Sequence, residues 1–91
     1  MAATSVRIVV KGLVQGVFFR KHTVTKALQL QLSGFVMNIP DGSVLIEAQG
    51  SPQSLDLFIA WCRTGPPAAQ VTGVEVIEIP DGEYRTFTIR R

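Results

Sequence analysis

Alternating apolar and polar residues mark the first element of the chain. The alternation runs over Ser5–Lys11, where β-branched residues dominate, and this pattern predicts a strand with one buried face. Its apolar positions are Val6, Ile8 and Val10. The next segment, Gly12–Phe19, contains two glycines and has no helical period. It is therefore predicted to be a loop.

A helical period begins at the end of this loop. Residues Arg20–Gln31 (RKHTVTKALQLQ) are compatible with a helix, and apolar residues recur on one side at helical spacing. This apolar face is predicted to consist of Val24, Ala27 and Leu28. Gln31 stands where a glycine would usually end such a helix. We predict that the chain turns afterwards, at Ser33-Gly34.

Two short strands with a turn between them follow. The strands are predicted over Phe35–Ile39 and Ser43–Gln49, separated by Pro40-Asp41-Gly42. Proline fixes φ and glycine accepts positive φ, so this tripeptide favours a tight turn. The segment is predicted to be a β-hairpin.

A second helix starts at Ser51-Pro52. Serine is a favoured N-cap residue and proline is favoured at the first helical position. Its apolar positions follow the spacing of one helical face and are Leu55, Phe58, Ile59 and Cys62. Gly65-Pro66-Pro67 is predicted to end the helix.

The last part of the chain is predicted to hold two more strands. The first covers Val71–Ile79, Pro80-Asp81-Gly82 forms a turn, and a short final strand contains Phe87 and Ile89. The order is β-α-β-β-α-β with a short extra C-terminal strand. This order predicts an α+β ferredoxin-like sandwich with two helices on one face of an antiparallel sheet. With 91 residues, one domain over 1–91 is predicted.

Composition narrows the class of protein. Hydrophobic residues make up 46% and charged residues 18%, which is typical of a folded domain. The net charge is +2, and the basic residues are spread along the chain, so no nucleic-acid-binding arm is predicted. No apolar run is long enough to span a membrane. A single cysteine cannot form an internal disulfide, and a single histidine excludes a zinc site built from several His and Cys ligands.

The loop before the first helix is the segment best suited to chemistry. The glycines Gly12 and Gly16 let successive backbone N–H groups converge, and the following helix N-terminus adds free donors and a positive dipole end. Arg20 adds a planar, permanently charged fork for phosphate oxygens. The hypothesis is a phosphate cradle. The alternative is that the glycines only form a turn and Arg20 is solvated.

Other polar or reactive side chains carry weaker signals. Asn38 is unusual because asparagine is depleted in strands, but it could simply face water near the hairpin turn. His22 is expected to be solvated on the first helix. Cys62 is expected in the core, and Trp61 is expected to cover the edge of the second helix.

Two segments together resemble the motifs of the acylphosphatase family. The family motif G-x-V-Q-G-V-x-F-R is matched by residues 12–20, GLVQGVFFR, and G-x-V-x-N-x-x-D-G is matched by residues 34–42, GFVMNIPDG. Every fixed position is matched. Gly65-Pro66, Ala69 and Val71 also resemble the family's later pattern, so the resemblance covers nearly the whole chain. Gln31 departs from a frequent glycine, and Leu45 stands where the family often has glutamate.

The resemblance implies an enzyme that hydrolyses acyl phosphates to a carboxylate and inorganic phosphate. By this resemblance Arg20 and Asn38 are catalytic, and Asn38 positions the attacking water. The implied phosphate-binding residues are Gln15, Gly16, Val17, Phe18, Phe19 and Arg20. No cofactor and no metal are implied. The expected partners are the small substrate and phosphate, without nucleic acid or membrane, and the expected form is a cytoplasmic monomer.

A site this simple suits the implied chemistry. The leaving carboxylate has a conjugate acid with a pKa of roughly 4 to 5, so no general acid is required at neutral pH. Charge on the phosphoryl oxygens is the main feature to stabilise, and fixed amides with a guanidinium can do so.

Two alternatives to a free-standing enzyme come from the fold class. Ferredoxin-like domains also bind RNA, but RNA readers carry stacked aromatics on a central strand, and Ser43–Gln49 contains none. The other is a non-catalytic binding or regulatory module, for example one resembling the acylphosphatase-like domain of a hydrogenase maturation protein. Because Arg20 and Asn38 are both present, the enzyme is favoured.

Overall fold

The computed structural model describes residues 3–91, and in this range two helices pack against a five-stranded sheet. The elements are β1 (Thr4–Leu13), α1 (Phe19–Gln29), β2 (Ser33–Asn38), β3 (Val44–Gly50), α2 (Pro52–Thr64), β4 (Gln70–Ile79) and β5 (Phe87–Arg90). The strand order across the sheet is β4-β1-β3-β2-β5. The predicted ferredoxin-like sandwich is confirmed.

The sheet is mixed, which corrects the prediction of an antiparallel sheet. β1 is antiparallel to both β3 and β4, and β2 is antiparallel to β3. β5 instead joins the outer edge of β2 in parallel, with Phe87 beside Gly34. This register buries Phe87 in the core. The added apolar burial explains why so short a strand is held at the edge.

The predicted turn at Pro80-Asp81-Gly82 is also wrong. β4 and β5 lie at opposite edges of the sheet, so residues 80–86 form a long connection between them instead of a tight turn. Side-chain contacts hold it: Ser5 Oγ lies 2.9 Å from Asp81 Oδ1, Gly82 N donates to Gln49 Oε1 at 2.9 Å, and the Tyr84 hydroxyl donates to Glu47 Oε1 at 2.7 Å. The sequence pattern could not reveal these long-range bonds.

The core lies between the helices and the inner face of the sheet. The predicted alternation in β1 is confirmed, because Val6, Ile8 and Val10 are buried. They pack in one cluster with inward residues of β3, β2 and both helices. The largest buried members of this cluster outside β1 are Phe19, Phe58 and Phe87.

The buried face of α1 differs from the predicted one. The helix begins at Phe19, and its buried residues are Phe19, Thr23 and Ala27. Leu28 is 50% exposed, so its predicted place on the core face is wrong. Thr23 can enter the core because its hydroxyl donates to Phe19 O at 2.8 Å, which leaves no unpaired polar atom. A search for apolar residues overlooks such a threonine.

The end of α1 is a Schellman turn built without glycine. Leu32 N donates to Ala27 O at 2.9 Å and Gln31 N donates to Leu28 O at 3.1 Å, which is the bonding pattern of that motif. Gln31 has φ 59°. The chain therefore turns around Gln31 and not at the predicted Ser33-Gly34, which lies in β2. There a Cβ on Gly34 would overlap the carbonyl of Glu47 on β3.

The predictions for the hairpin and for α2 are confirmed. β2 and β3 form the hairpin around Pro40-Asp41-Gly42. The Ser51 side chain caps α2 by accepting from Ser54 N at 3.2 Å, with Pro52 at the first helical position. The helix ends at Gly65, which has φ 70°. Its buried residues are Leu55, Phe58 and Cys62, and Ile59 is half-buried.

Candidate active site

The loop between β1 and α1 has an unusual backbone. A bulge at Lys11/Gly12 shifts the register of β1 against β4, and the pairing continues to Leu13 and Gln70. Farther along, Gly16 has φ 75° and Phe18 has φ 61°, ψ 22°. Left-handed residues interspersed in a turn direct neighbouring N–H groups into one concavity, which is how anion-binding nests form. In Phe18 this conformation costs about 1–2 kcal/mol.

The N-terminus of α1 is left open. Its N-cap residue Phe18 makes no side-chain capping bond, and no acidic residue occupies the first turn. The first N–H groups of a helix have no intrahelical partner and carry the positive end of the dipole. The first N–H group with an intrahelical partner is that of His22, which donates to Phe18 O at 3.1 Å. The amides before it are therefore candidates to bind an anion.

A small open cavity of about 240 Å³ lies at this helix end. It brings together Arg20 and Asn38, the two residues predicted to be catalytic. The complete lining is Val14, Gly16, Phe18, Phe19, Arg20, Lys21, Asn38, Ile89 and Arg91. The volume is below that of sites for drug-sized ligands. It is suited to a small anion with a modest substituent.

The cavity is electropositive. Arg20, Lys21 and Arg91 line it, and no carboxylate side chain does. The ion pairs found within residues 3–91 join Arg7 to Glu47 and Lys11 to Glu75, so neither involves Arg20. A guanidinium without a carboxylate partner can take a bidentate oxyanion.

Asn38 contributes an acceptor with an unmet hydrogen bond. It is the last residue of β2 and pairs with Val44 on β3. Its Oδ1 atom is buried and has no hydrogen-bond partner among the described residues. Leaving a buried polar atom unpaired costs about 1–3 kcal/mol. Asn38 also lines the cavity, so a water molecule or ligand bound there is a candidate partner for this atom.

Gln15 is placed differently from the other residues of the predicted phosphate loop. Its side chain is absent from the cavity lining, and Nε2 donates to Ile39 O at 2.8 Å and to Ser43 O at 2.9 Å. Val17 also does not line the cavity and packs partly buried against the core. For Gln15 and Val17 the phosphate contact therefore stays a prediction. It concerns their backbone N–H groups and not their side chains.

Aromatic rings support the cavity from behind. Phe19 lines it, and the Phe19 ring centre lies 5.6 Å from that of Trp61. Trp61 in turn stacks with Phe58 at 6.3 Å. A Cβ added to Gly65 would come within 2.8 Å of the Phe19 ring, so the absence of a side chain at Gly65 leaves room for that ring. Trp61 thus supports the wall through Phe19.

His22 and Cys62 lie where the sequence predicted, on the surface and in the core. His22 is exposed on α1. Cys62 is buried in the core, and burial raises its pKa to about 12, which makes the thiol a poor nucleophile.

Within residues 3–91 no group of three or more His, Cys, Asp and Glu side chains could hold a metal ion. None of the helices in that range could cross a membrane.

Sequence reasoning overlooked four residues of the lining: Val14, Lys21, Ile89 and Arg91. Val14 and Lys21 could have been inferred from their position within and beside the first motif. Ile89 and Arg91 could not. Ile89 reaches the site because β5 pairs with β2 in parallel, where Ile89 stands beside Val36, and Arg91 directly follows β5.

Comparison with known proteins identifies the family of the chain. Residues 6–89 match the family model described as Acylphosphatase. The chain is 46% identical to an acylphosphatase of Methylococcus capsulatus over 94% of this chain and 95% of that protein. Solved acylphosphatase structures superpose closely: that from Coxiella burnetii has a TM-score of 0.94 at 40% identity, covering 97% of this chain and 93% of the other. That from Bacillus subtilis has a TM-score of 0.93 at 36% identity, covering 97% and 99%. The chain belongs to the acylphosphatase family.

Proposed function

We propose that this protein is an acylphosphatase that hydrolyses the bond between a carboxyl group and a phosphate. The observation that carries the proposal is the shared cavity of Arg20 and Asn38 at the open N-terminus of α1. One residue supplies a cation for the phosphoryl group. The other supplies an unpaired acceptor for water.

The phosphoryl oxygens bind in the loop. Backbone N–H groups between Gly16 and Arg20 donate to them, and the Arg20 guanidinium takes two oxygens side by side. In a loose transition state the charge is spread over the equatorial oxygens. Donors that are already in place stabilise this charge without reorganising. The left-handed conformation of Phe18 is the local cost of that preorganisation.

The nucleophile is a water molecule held by Asn38. Its Oδ1 accepts a hydrogen bond from the water, which aligns the water oxygen with the phosphorus atom. A bond forms between the water oxygen and phosphorus, and the bond from phosphorus to the acyl oxygen breaks. The electron pair leaves on the carboxylate, and the water protons stay with the phosphate product.

The leaving group explains the lack of an acid in the lining. A carboxylate is a weak base, with a conjugate acid of pKa roughly 4 to 5, and it departs without protonation. An alkoxide is a much stronger base and would need a proton donor. The site is therefore selective for acyl phosphates over alkyl phosphate esters.

Hydrolysis of acetyl phosphate by the purified protein tests the proposal. We expect release of phosphate in the presence of EDTA, and far slower release from glycerol 3-phosphate under the same conditions. In water labelled with ¹⁸O, the label should appear in phosphate and not in acetate. Label in acetate would show attack at carbon and refute the mechanism. Activity lost on chelation and restored by magnesium would refute its independence of metal.

A non-catalytic binding module is the alternative that the same assay separates. It predicts phosphate binding by a folded protein that hydrolyses no acyl phosphate. The expected monomer is a further part of the proposal, checked by light scattering during size-exclusion chromatography. Location in the cytoplasm is proposed from the sequence and is checked by fractionation of the source cells.

A further inference from the structure

We infer that Gln15 is a positioning residue that aligns Asn38 with the phosphate loop, an inference that rests on the proposed function. Gln15 lies in the loop, and its side-chain nitrogen gives both hydrogens to the β2–β3 hairpin, at 2.8 Å to Ile39 O and 2.9 Å to Ser43 O. An amide group has two donors on one nitrogen. One side chain thus ties the loop to both arms of the hairpin.

The two acceptors lie next to the Asn38–Val44 pair, on the side of the turn. Ile39 follows Asn38 directly, and Ser43 precedes Val44, the residue that pairs with Asn38 across the hairpin. Movement of either carbonyl would therefore displace the end of β2 on which Asn38 lies. The Gln15 amide restrains both carbonyls from the side of the loop.

The hairpin end is itself ordered around these atoms. Ile39 N donates to Ser43 O at 3.0 Å, and Gly42 N donates to Ile39 O at 3.1 Å. Ser43 N donates to Asp41 Oδ1 at 2.8 Å. Each of the two carbonyls thus accepts one bond from the hairpin and one from Gln15. The internal bonds shape the turn, and the bonds from Gln15 set its place relative to the loop.

The distance between Asn38 and the phosphate loop affects the rate of the proposed reaction. The water bound by Asn38 must reach a phosphorus atom whose position the loop determines, and misplacement by about 1 Å can cost up to about 10²-fold in rate. Asn38 Oδ1 has no other partner among the described residues to hold it. Its alignment therefore depends on the backbone that Gln15 restrains.

The test compares Gln15→Met with Gln49→Met. Methionine keeps the length of glutamine and removes its donors and acceptor. Gln49 is the matched control because its amide oxygen also accepts tertiary bonds, from Ser5 Oγ at 2.6 Å and Gly82 N at 2.9 Å, and it is absent from the cavity lining. We expect kcat on acetyl phosphate to fall about tenfold in Gln15→Met, with the Kd for inorganic phosphate unchanged. Gln49→Met should lose thermal stability and keep its kcat.

A double-mutant cycle with Asn38→Ala shows whether Gln15 acts through Asn38. In the Asn38→Ala background, Gln15→Met should lower kcat no further. A full additional loss, a weakened phosphate Kd, or an equal kcat loss in Gln49→Met would each overturn the inference. A second readout does not need activity: the Asn38 side-chain amide resonances should shift in Gln15→Met and not in Gln49→Met. Unmoved resonances overturn the inference, whereas an inactive parent protein refutes the proposed function.

Discussion

Arg20 and Asn38 line the same cavity, although one lies in the first turn of α1 and the other at the end of β2. Arg20 carries a charge and Asn38 carries a neutral acceptor without a partner among residues 3–91. In the proposed mechanism these two groups act on different parts of the reaction. Variants of the two should therefore have different kinetic effects.

Asn38→Ala should lower kcat by about 10²-fold while KM changes little. The substitution removes the acceptor that aligns water and leaves the phosphate donors in place. Steady-state kinetics with acetyl phosphate measures both constants. Asn38→Asp should not restore kcat and should also weaken binding of inorganic phosphate, because its carboxylate repels the phosphate. Near-normal kcat in Asn38→Ala would show that Asn38 has only a structural role in the hairpin and does not align the water.

Inorganic phosphate should raise the Tm of the protein, because a ligand that binds only the native state stabilises it. At 100 times its Kd the gain is about 2.7 kcal/mol. The shift should disappear in Arg20→Ala, which removes the guanidinium from the cavity. Arg63→Ala is the matched control, since Arg63 is exposed in the last turn of α2 and does not line the cavity. If Arg20→Ala keeps the full shift, phosphate acts elsewhere on the protein.

Gln31→Gly should stabilise the fold by about 1 kcal/mol. Gln31 has φ 59° in the Schellman turn after α1, and a left-handed backbone costs a residue with a side chain about 1–2 kcal/mol. Glycine removes that cost but loses more chain entropy on folding. Urea unfolding measures the difference. Lys26→Gly, inside α1, should destabilise by about 1 kcal/mol, and equal effects of both substitutions would contradict the assignment of strain to Gln31.

Tyr84 should titrate far above the usual range for a tyrosine. Burial raises its pKa to about 12, helped by the 2.7 Å bond that its hydroxyl donates to Glu47 and by the Glu47 charge. The absorbance of the phenolate should show a titration midpoint at about pH 12 in the native state and at about pH 10 in denaturant.

The same shift makes stability depend on pH. The unfolded state loses the Tyr84 proton first, so the contribution is complete below pH 10 and is lost as pH rises from about 10 to about 12. Unfolding free energies measured across this range should fall more steeply in the parent protein than in Tyr84→Phe. Parallel slopes in the two proteins would show that Tyr84 is not the group responsible.

Several helix ends and turns of this protein follow from the sequence alone, because they depend on local interactions. Ser51 and Pro52 define the start of α2, Gly65 defines its end, and Pro40-Asp41-Gly42 defines the hairpin, because caps and turns depend on neighbouring residues. The two motifs were visible for a similar reason. In the first motif Gly16, Phe18 and Arg20 lie within a few residues of one another at the start of α1.

The tertiary structure decided what depends on distant partners. The position of β5 follows from burying Phe87 and from the bonds that hold residues 80–86, which no local pattern encodes. That position in turn brings Ile89 and Arg91 to the cavity. The partners of Gln15 lie across the fold on the hairpin, and Thr23 is buried because its hydroxyl is paired within α1. Sequence periodicity reports which side of an element is apolar, whereas these features depend on which polar atoms find a partner once the elements have packed.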